Sequence, residues 1–326
     1  MSVAQRVGRF NERVSWELRL IALLAAGIGL GLVVARTALA ALPVYDAVRA
    51  TLRHGAPDCP WQRVFATARD GERLSALARS IDPTVSVIGH DPRLDIQQVA
   101  SPERSFWIRR SGSSRSGRDL LVYLLSEHRW MAESSPASTV RNGDVVIDCG
   151  AHVGVFVHTA LKRGARTVVA VEPEPVNVEC LRRNFAREIE AGQVIVVPKG
   201  VWSAETNLAL SLGVENSGMN SMVMEERGAK LQVAVTTIDK LVRELGLPRV
   251  DYIKMDIEGA EREALAGALA TLREFRPRLM LDSYHLPDDT RVLPAIIRRA
   301  HADYSLSCGP CEIRGDQLVP HVMFYR

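Results

Sequence analysis

The chain has 326 residues, 47% of them hydrophobic and 24% charged, with a formal net charge of +3. That length and composition suit one large core or two small ones. The charge is small and its arginines are scattered, which argues against a polyanionic partner, and there is no internal repeat.

In chain order, the first feature is Leu20–Ala35, an apolar run preceded by Arg6, Arg9, Arg13 and Arg19 and followed by Arg36. A membrane span needs about 20 apolar residues. Leu18 and a snorkelling Arg36 extend this run towards that length. The reading is a basic segment and membrane helix within residues 1–44, the helix at about 18–42. A cleaved signal peptide ending at Ala38-Leu39-Ala40 competes with it. A buried soluble helix fits worst, because no face is polar. The arginines before and after the run nearly balance, so they do not orient it. The expected location is a single-pass membrane protein with its catalytic domain on the cytoplasmic side, where the cofactor argued for below is made.

Residues 45–140 read as a mostly helical accessory region. Apolar spacing predicts helices over residues 44–53, 61–81 and 120–131. Asp82-Pro83 and Asp91-Pro92 are turns. Residues 105–109 suit a strand, residues 111–118 are a polar loop, and residues 134–138 are a linker.

The main domain is expected from about Arg141 to the C-terminus. Val145, Val146 and Ile147 are continuous and β-branched, as in a strand buried on both faces. Asp148 ends that strand, and Gly150 and Gly154 follow at a spacing of four. A helix is expected next, then a second β-branched strand over residues 167–171, ending at Glu172. A β-α-β unit with a glycine turn and a carboxylate about 20 residues later is the layout of a nucleoside-binding half sheet. A dinucleotide fold wants GxGxxG so that pyrophosphate can sit on a helix N-terminus. Here the third glycine is missing, Ala151 stands where backbone room is also needed, and the strand tip is acidic. A carboxylate suits a sulfonium or ammonium, and Glu172 suits two ribose hydroxyls. S-adenosylmethionine is therefore preferred over NAD. An ordinary strand, turn and helix with a capping carboxylate is the alternative.

Alternation continues. Helices are expected over residues 174–189, 237–245, 260–272 and 290–301. Strands are expected over 194–197, 251–255 and 278–281, with antiparallel or edge strands over 207–212 and 231–235. Residues 304–307 and 320–325 suit a closing hairpin. The fold class is α/β: a mostly parallel sheet of seven strands with its last strand antiparallel.

The segments VVIDCGAHVG, AVEPEPVNVECLRRNF, TTIDKL and VDYIKMDIEGAEREALAGA together resemble the FkbM family of S-adenosylmethionine-dependent methyltransferases, from about Gly143 to Tyr284. The resemblance implies a class I methyltransferase Rossmann-like fold and methylation of hydroxyls on small molecules, sugars or lipid-linked glycans. By position it places Asp148, Gly150 and Gly154 at the methionine part of the cofactor and Glu172 at the ribose. It places Asp256 and Glu258 at the reaction face, with Asp256 also beside the cofactor. Asp282-Ser283-Tyr284-His285 departs from the family's usual acidic residue and His-containing stretch. The apolar N-terminal run is a second departure.

Methyl transfer is an in-line displacement, so alignment of the acceptor does most of the work. Asp256 and Glu258 are two apart and project to one side of an extended segment. They suit sharing a proton, binding a cation or orienting the acceptor. His285 is a candidate general base, with a surface loop histidine as its bland alternative. Glu258 and Glu261 equally suit a helix N-terminus. Ala151, His152 and Pro173 flank the expected cofactor contacts. Val201 and Trp202 follow the third strand, where adenine would lie, although a packed aromatic explains Trp202 as well. Residues 216–222 suit an acceptor loop. Cys308-Gly309-Pro310-Cys311 resembles a redox motif but precedes a strand instead of opening a helix, and two thiols are too few for structural zinc. No metal site is assigned. Nucleic acid is disfavoured as a partner, because no basic, aromatic-laced stripe is present. The competing functions are an NAD-dependent oxidoreductase and a non-catalytic membrane scaffold.

Overall fold

The computed structural model describes residues 61–110, 116–134, 139–213, 217–224, 228–314 and 317–326. The apolar stretch at about 18–42 and the helix expected over 44–53 lie outside the described residues. Among the described residues, no helix is long and apolar enough to cross a membrane. The expectation of a single-pass membrane protein is corrected on that ground.

The first described element is a helix, Trp61–Ile81, followed by strands β1 (Ser86–Asp91), β2 (Ile96–Ala100) and β3 (Ser105–Arg109). The strands form an antiparallel sheet in the order β1-β2-β3. Among the described residues the accessory region thus holds a three-stranded sheet as well as long helices. Its short strands have few alternating apolar positions, and only β3 was legible. A second helix, Gly117–Ser134, packs against the first.

The main sheet uses β4 (Val145–Cys149), β5 (Thr167–Val171), β6 (Val194–Val197), β10 (Tyr252–Met255), β11 (Arg278–Asp282), β12 (Leu306–Cys308) and β15 (Val322–Tyr325). Their order is β12-β15-β11-β10-β4-β5-β6. The run from β11 through β10, β4 and β5 to β6 is parallel. β15 inserts antiparallel between β11 and β12. This is the expected seven-stranded sheet. Val146, Val168, Ala170 and Tyr252 feed the core on one face. Their neighbours Ile147, Val169, Val171 and Ile253 feed the core on the other. Two helical layers thus explain why β4 is buried at every position.

Between β6 and β10 lie β7 (Gly200–Val201), β8 (Thr206–Ser211) and β9 (Lys230–Thr236), a small sheet ordered β7-β9-β8. β13 (Cys311–Arg314) and β14 (Gln317–Pro320) form a hairpin before β15. Cys308 and Cys311 thus end one strand and begin the next; neither opens a helix. The helix expected over 260–272 breaks into Glu261–Ala266 and Leu269–Phe275. The break falls at Gly267, where a Cβ would meet Trp202 O at 2.2 Å. Only glycine allows that approach.

Candidate functional site

In an open parallel sheet, ligands bind beyond the carboxyl ends of the strands, where the chain order reverses. Four strand ends meet here. After β4 comes a turn in which Gly150, His152 and Gly154 all have positive φ, +77°, +49° and +91°. After β5 comes Glu172. After β10 come Asp256, Ile257 and Glu258, and after β11 come Tyr284 and His285. These tips line a cavity of about 430 Å³, within the range of about 300–1,000 Å³ usual for small-molecule sites.

The turn is shaped by close approach. A Cβ on Gly150 would sit 2.0 Å from Asp256 O. The backbones beyond β4 and β10 therefore touch only because residue 150 is glycine. His152 N donates to Glu172 Oε2 at 2.9 Å, and Glu174 N donates to Glu172 Oε1 at 3.0 Å. Burial raises the Glu172 carboxyl to about 7, against the opposing pull of those backbone donors. Burial lowers His152 to about 4, so its ring is neutral, and Nε2 lies 2.8 Å from Ser217 Oγ. His152 Nδ1 and Asn177 Oδ1 are buried without a hydrogen-bond partner. Those polar atoms, the glycine turn and a buried carboxylate between backbone donors fit a nucleoside bearing a cationic tail.

Lys254 lines the cavity floor. Its Nζ is 3.5 Å from Asp148 Oδ1 and 3.7 Å from Asp256 Oδ2, and it donates to Gly150 O at 3.1 Å. Burial opposes charge on Lys254, but Asp148, Asp256 and Asp282 override that and raise its pKa. Burial likewise raises Asp148, and Lys254 reverses this only in part. The ammonium sits between two carboxylates, so the lysine is charged.

At the far wall, His285 is almost wholly buried. Its Nδ1 is 3.1 Å from Glu261 Oε1, while Nε2 is 3.4 Å from Glu258 Oε2 and 3.7 Å from Asp256 Oδ1. Burial disfavours the imidazolium, but Glu261, Glu258 and Asp256 outweigh burial and raise His285 to about 10. Burial raises Glu258 to about 8; His285 opposes the shift, while Asp256 and Glu261 add to it. Glu258 is held with φ +53°, and Gly259 follows at +97°. A non-glycine residue in that region costs of order 1–3 kcal/mol and is often found at functional sites.

Of the residues expected at the cofactor, Gly150, Ala151, His152, Glu172, Pro173, Val201 and Asp256 line the cavity, as do Glu258 and His285. Asp148 lies under it, paired with Lys254. Gly154 and Trp202 are not among its lining residues. Gly154 backs onto Phe185, whose ring would lie 2.2 Å from a Cβ at 154. Trp202 packs against the Leu210, Val233 and Val235 cluster of the small sheet. Spacing located the turn and the segment after the third strand, but not which side of each faces the cavity.

The sequence reading missed Tyr123, Glu127 and His128, which enter the cavity from helix Gly117–Ser134, and Arg314 from β13. No local pattern marks them, because they arrive from elements remote in sequence. Lys254 did leave a signal, a lysine inside an apolar strand. The accessory sheet is fastened behind the glycine turn by Asn184. Its Oδ1 accepts from Trp107 N at 2.6 Å, and its Nδ2 donates to Val153 O at 2.9 Å.

Residues 148–306 match a family model described as a methyltransferase FkbM domain. The 31-O-demethyl-FK506 methyltransferase FkbM of Streptomyces tacrolimicus is 29% identical over 157 residues, 39% of this chain and 60% of the relative. Methyltransferase sdnD of Sordaria araneosa is 27% identical, covering 37% and 59%. This chain thus spans about 60% of the length of those two relatives. The hexuronic acid methyltransferase AglP of Haloferax volcanii is 24% identical over 64% of this chain and 77% of its own. A crystal structure of methyltransferase FkbM from Methylobacillus flagellatus KT superposes with a TM-score of 0.45 at 17% identity, covering 81% of this chain and 62% of the other.

Proposed function

The chain carries a methyltransferase domain of the FkbM family over residues 148–306, and from that premise we propose that it is an S-adenosylmethionine-dependent O-methyltransferase acting on a hydroxyl of a sugar or other small molecule. The observation that carries the proposal is the shared cavity: the glycine turn, Glu172 and the cluster of Asp256, Glu258 and His285 all face it. The names of two similar proteins, one referring to an O-demethyl substrate and one to a hexuronic acid, support a hydroxyl-bearing acceptor.

When bound, S-adenosylmethionine supplies a methyl group on a sulfonium, a centre that leaves as a neutral thioether. Glu172 would accept hydrogen bonds from the ribose hydroxyls, and the Gly150 to His152 turn would give the remainder of the donor backbone room. Lys254 and Asp148 hold Asp256 and the Gly150 carbonyl in place. The acceptor hydroxyl lies against Asp256 and Glu258. Alignment of that oxygen with the methyl can account for about 7–11 kcal/mol of barrier lowering. His285 keeps its proton to about pH 10, so the role of base passes to Glu258. Its carboxylate, lifted to about 8, is matched to taking the hydroxyl proton near neutrality. The acceptor oxygen gains the methyl, and its proton resides on Glu258.

The test is transfer of labelled methyl from S-adenosylmethionine to a panel of hydroxylated acceptors by the full chain. Turnover with a hydroxyl acceptor, reduced roughly 10²–10⁴-fold in Glu258→Gln, is expected. Turnover with amine acceptors alone contradicts the proposal.

A further inference from the structure

Asp256 Oδ, Glu258 Oε and a ring nitrogen of His285 lie within 4.8 Å of one another. Ligand distances of about 2.1 Å place opposed ligands of one ion about 4.2 Å apart, so a small contraction brings all three onto a common centre. These donors belong to neighbouring strand ends, β10 and β11, and are not successive side chains of one surface helix.

The imidazole supplies the second observation. The His285 side chain is 2% exposed, and its Nε2 is buried without a hydrogen-bond partner. The contacts at 3.4 and 3.7 Å to Glu258 and Asp256 exceed the 2.7–2.9 Å typical of a charge-assisted N–H to carboxylate bond. Yet the ring is not loosely held. Nδ1 is fixed on Glu261 Oε1, and the same oxygen accepts from Ile257 N at 3.0 Å. Glu261 itself is fully buried. A carboxylate that pins one ring nitrogen while the other points at two further carboxylates is the arrangement that orients a histidine ligand. Charge agrees: the carboxylates Asp148, Asp256, Glu258 and Glu261 outnumber the cations Lys254 and His285, and an ion at Nε2 takes the place of the second ring proton, which binding releases.

We propose that Asp256, Glu258 and His285 bind a divalent cation of the Mn²⁺ class at the wall of the cavity, with Glu261 as the residue that positions His285. One imidazole and two carboxylates suit Mn²⁺ better than the all-oxygen cages of Ca²⁺. The remaining coordination positions face the cavity. On the methyltransferase reading, on which this one consequence rests, they take two oxygens of a vicinal diol or hydroxy acid. Glu258 then ligates through one oxygen, and because the same ion acidifies a coordinated hydroxyl, a weaker base at its second oxygen suffices to take the proton.

The test needs neither methyl donor nor acceptor. Full-length protein is stripped with chelator and titrated with Mn²⁺, with free ion read by electron paramagnetic resonance. The wild type binds one ion. Glu258→Gln, an isosteric change at a partly exposed side chain, weakens binding at least tenfold, as does His285→Ala. Glu261→Gln weakens it about 10–100-fold through ligand orientation. Cooperative melting of each variant confirms the fold. No binding by folded wild type at millimolar Mn²⁺, or undiminished affinity in Glu258→Gln, overturns the site. Methyl transfer that persists under the same chelation overturns the diol consequence while leaving the methyltransferase reading intact.

Discussion

Lys254 and Asp148 form a buried ion pair, Nζ to Oδ1 3.5 Å, with side chains 3% and 0% exposed. Neighbouring parallel strands, β10 and β4, carry them directly opposite each other. Removing one partner of such a pair strands the other charge, at a cost of about 3–5 kcal/mol. Lys254→Met is expected to destabilise the domain by that order in urea unfolding. Asp148→Asn combined with Lys254→Met is expected to recover part of the loss, since the fully buried carboxylate is then gone and only the more exposed Asp256 lacks the ammonium.

Glycine substitutions separate backbone strain from close approach. Gly143 and Gly150 both have positive φ, but an added Cβ meets nothing within 4 Å at 143 and Asp256 O at 2.0 Å at 150. Gly143→Ala should cost only the left-handed penalty, roughly 1–2 kcal/mol. Gly150→Ala should cost more and also weaken binding of the methyl donor, because the tips of β4 and β10 must part. Unfolding midpoints and donor titrations on both variants check this.

Donor affinity should depend on pH through Glu172. Burial, opposed by its backbone donors, raises this carboxyl to about 7 from an ordinary value of 4.5. A folded-state pKa above the unfolded one means that folding favours the protonated form. That contribution to stability is complete below about 4.5 and is lost as pH rises through about 7. Hydroxyls of a ribose donate to the ionised form, so donor binding should tighten between pH 6 and 8. Glu172→Gln should flatten that profile. Calorimetric titrations across the range provide the check.

The packing role of Gly154 has its own consequence. A Cβ there would press on the Phe185 ring at 2.2 Å. Gly154→Ala should lower the melting temperature while leaving donor affinity of the folded fraction within about twofold, since residue 154 does not line the cavity. Loss of affinity without loss of stability would restore a direct cofactor contact.

The sheet was legible because its strands are β-branched runs buried on both faces and separated by amphipathic helices. Val145–Cys149 and Thr167–Val171 fall where periodicity puts them, and β15 entered antiparallel as expected. Strand tips were legible too: Glu172, Asp256, Glu258 and His285 each follow a buried strand, and such tips converge in a parallel sheet. Inward and outward sides of the turns were not legible. Gly154 and Trp202 face packing partners remote in sequence. Tyr123 and Arg314 reach the cavity from elements whose docking no local pattern encodes. Strands β1 and β2 also escaped, because Gln97, Gln98 and Gly89 interrupt their apolar alternation.

Calorimetric titration of the full-length protein with S-adenosylmethionine, alongside Glu172→Ala, tests the central claim most directly. Saturable 1:1 binding by the wild type, weakened at least tenfold in the variant, is the predicted result. Folded wild type that binds NAD and gives no heat with S-adenosylmethionine would contradict it.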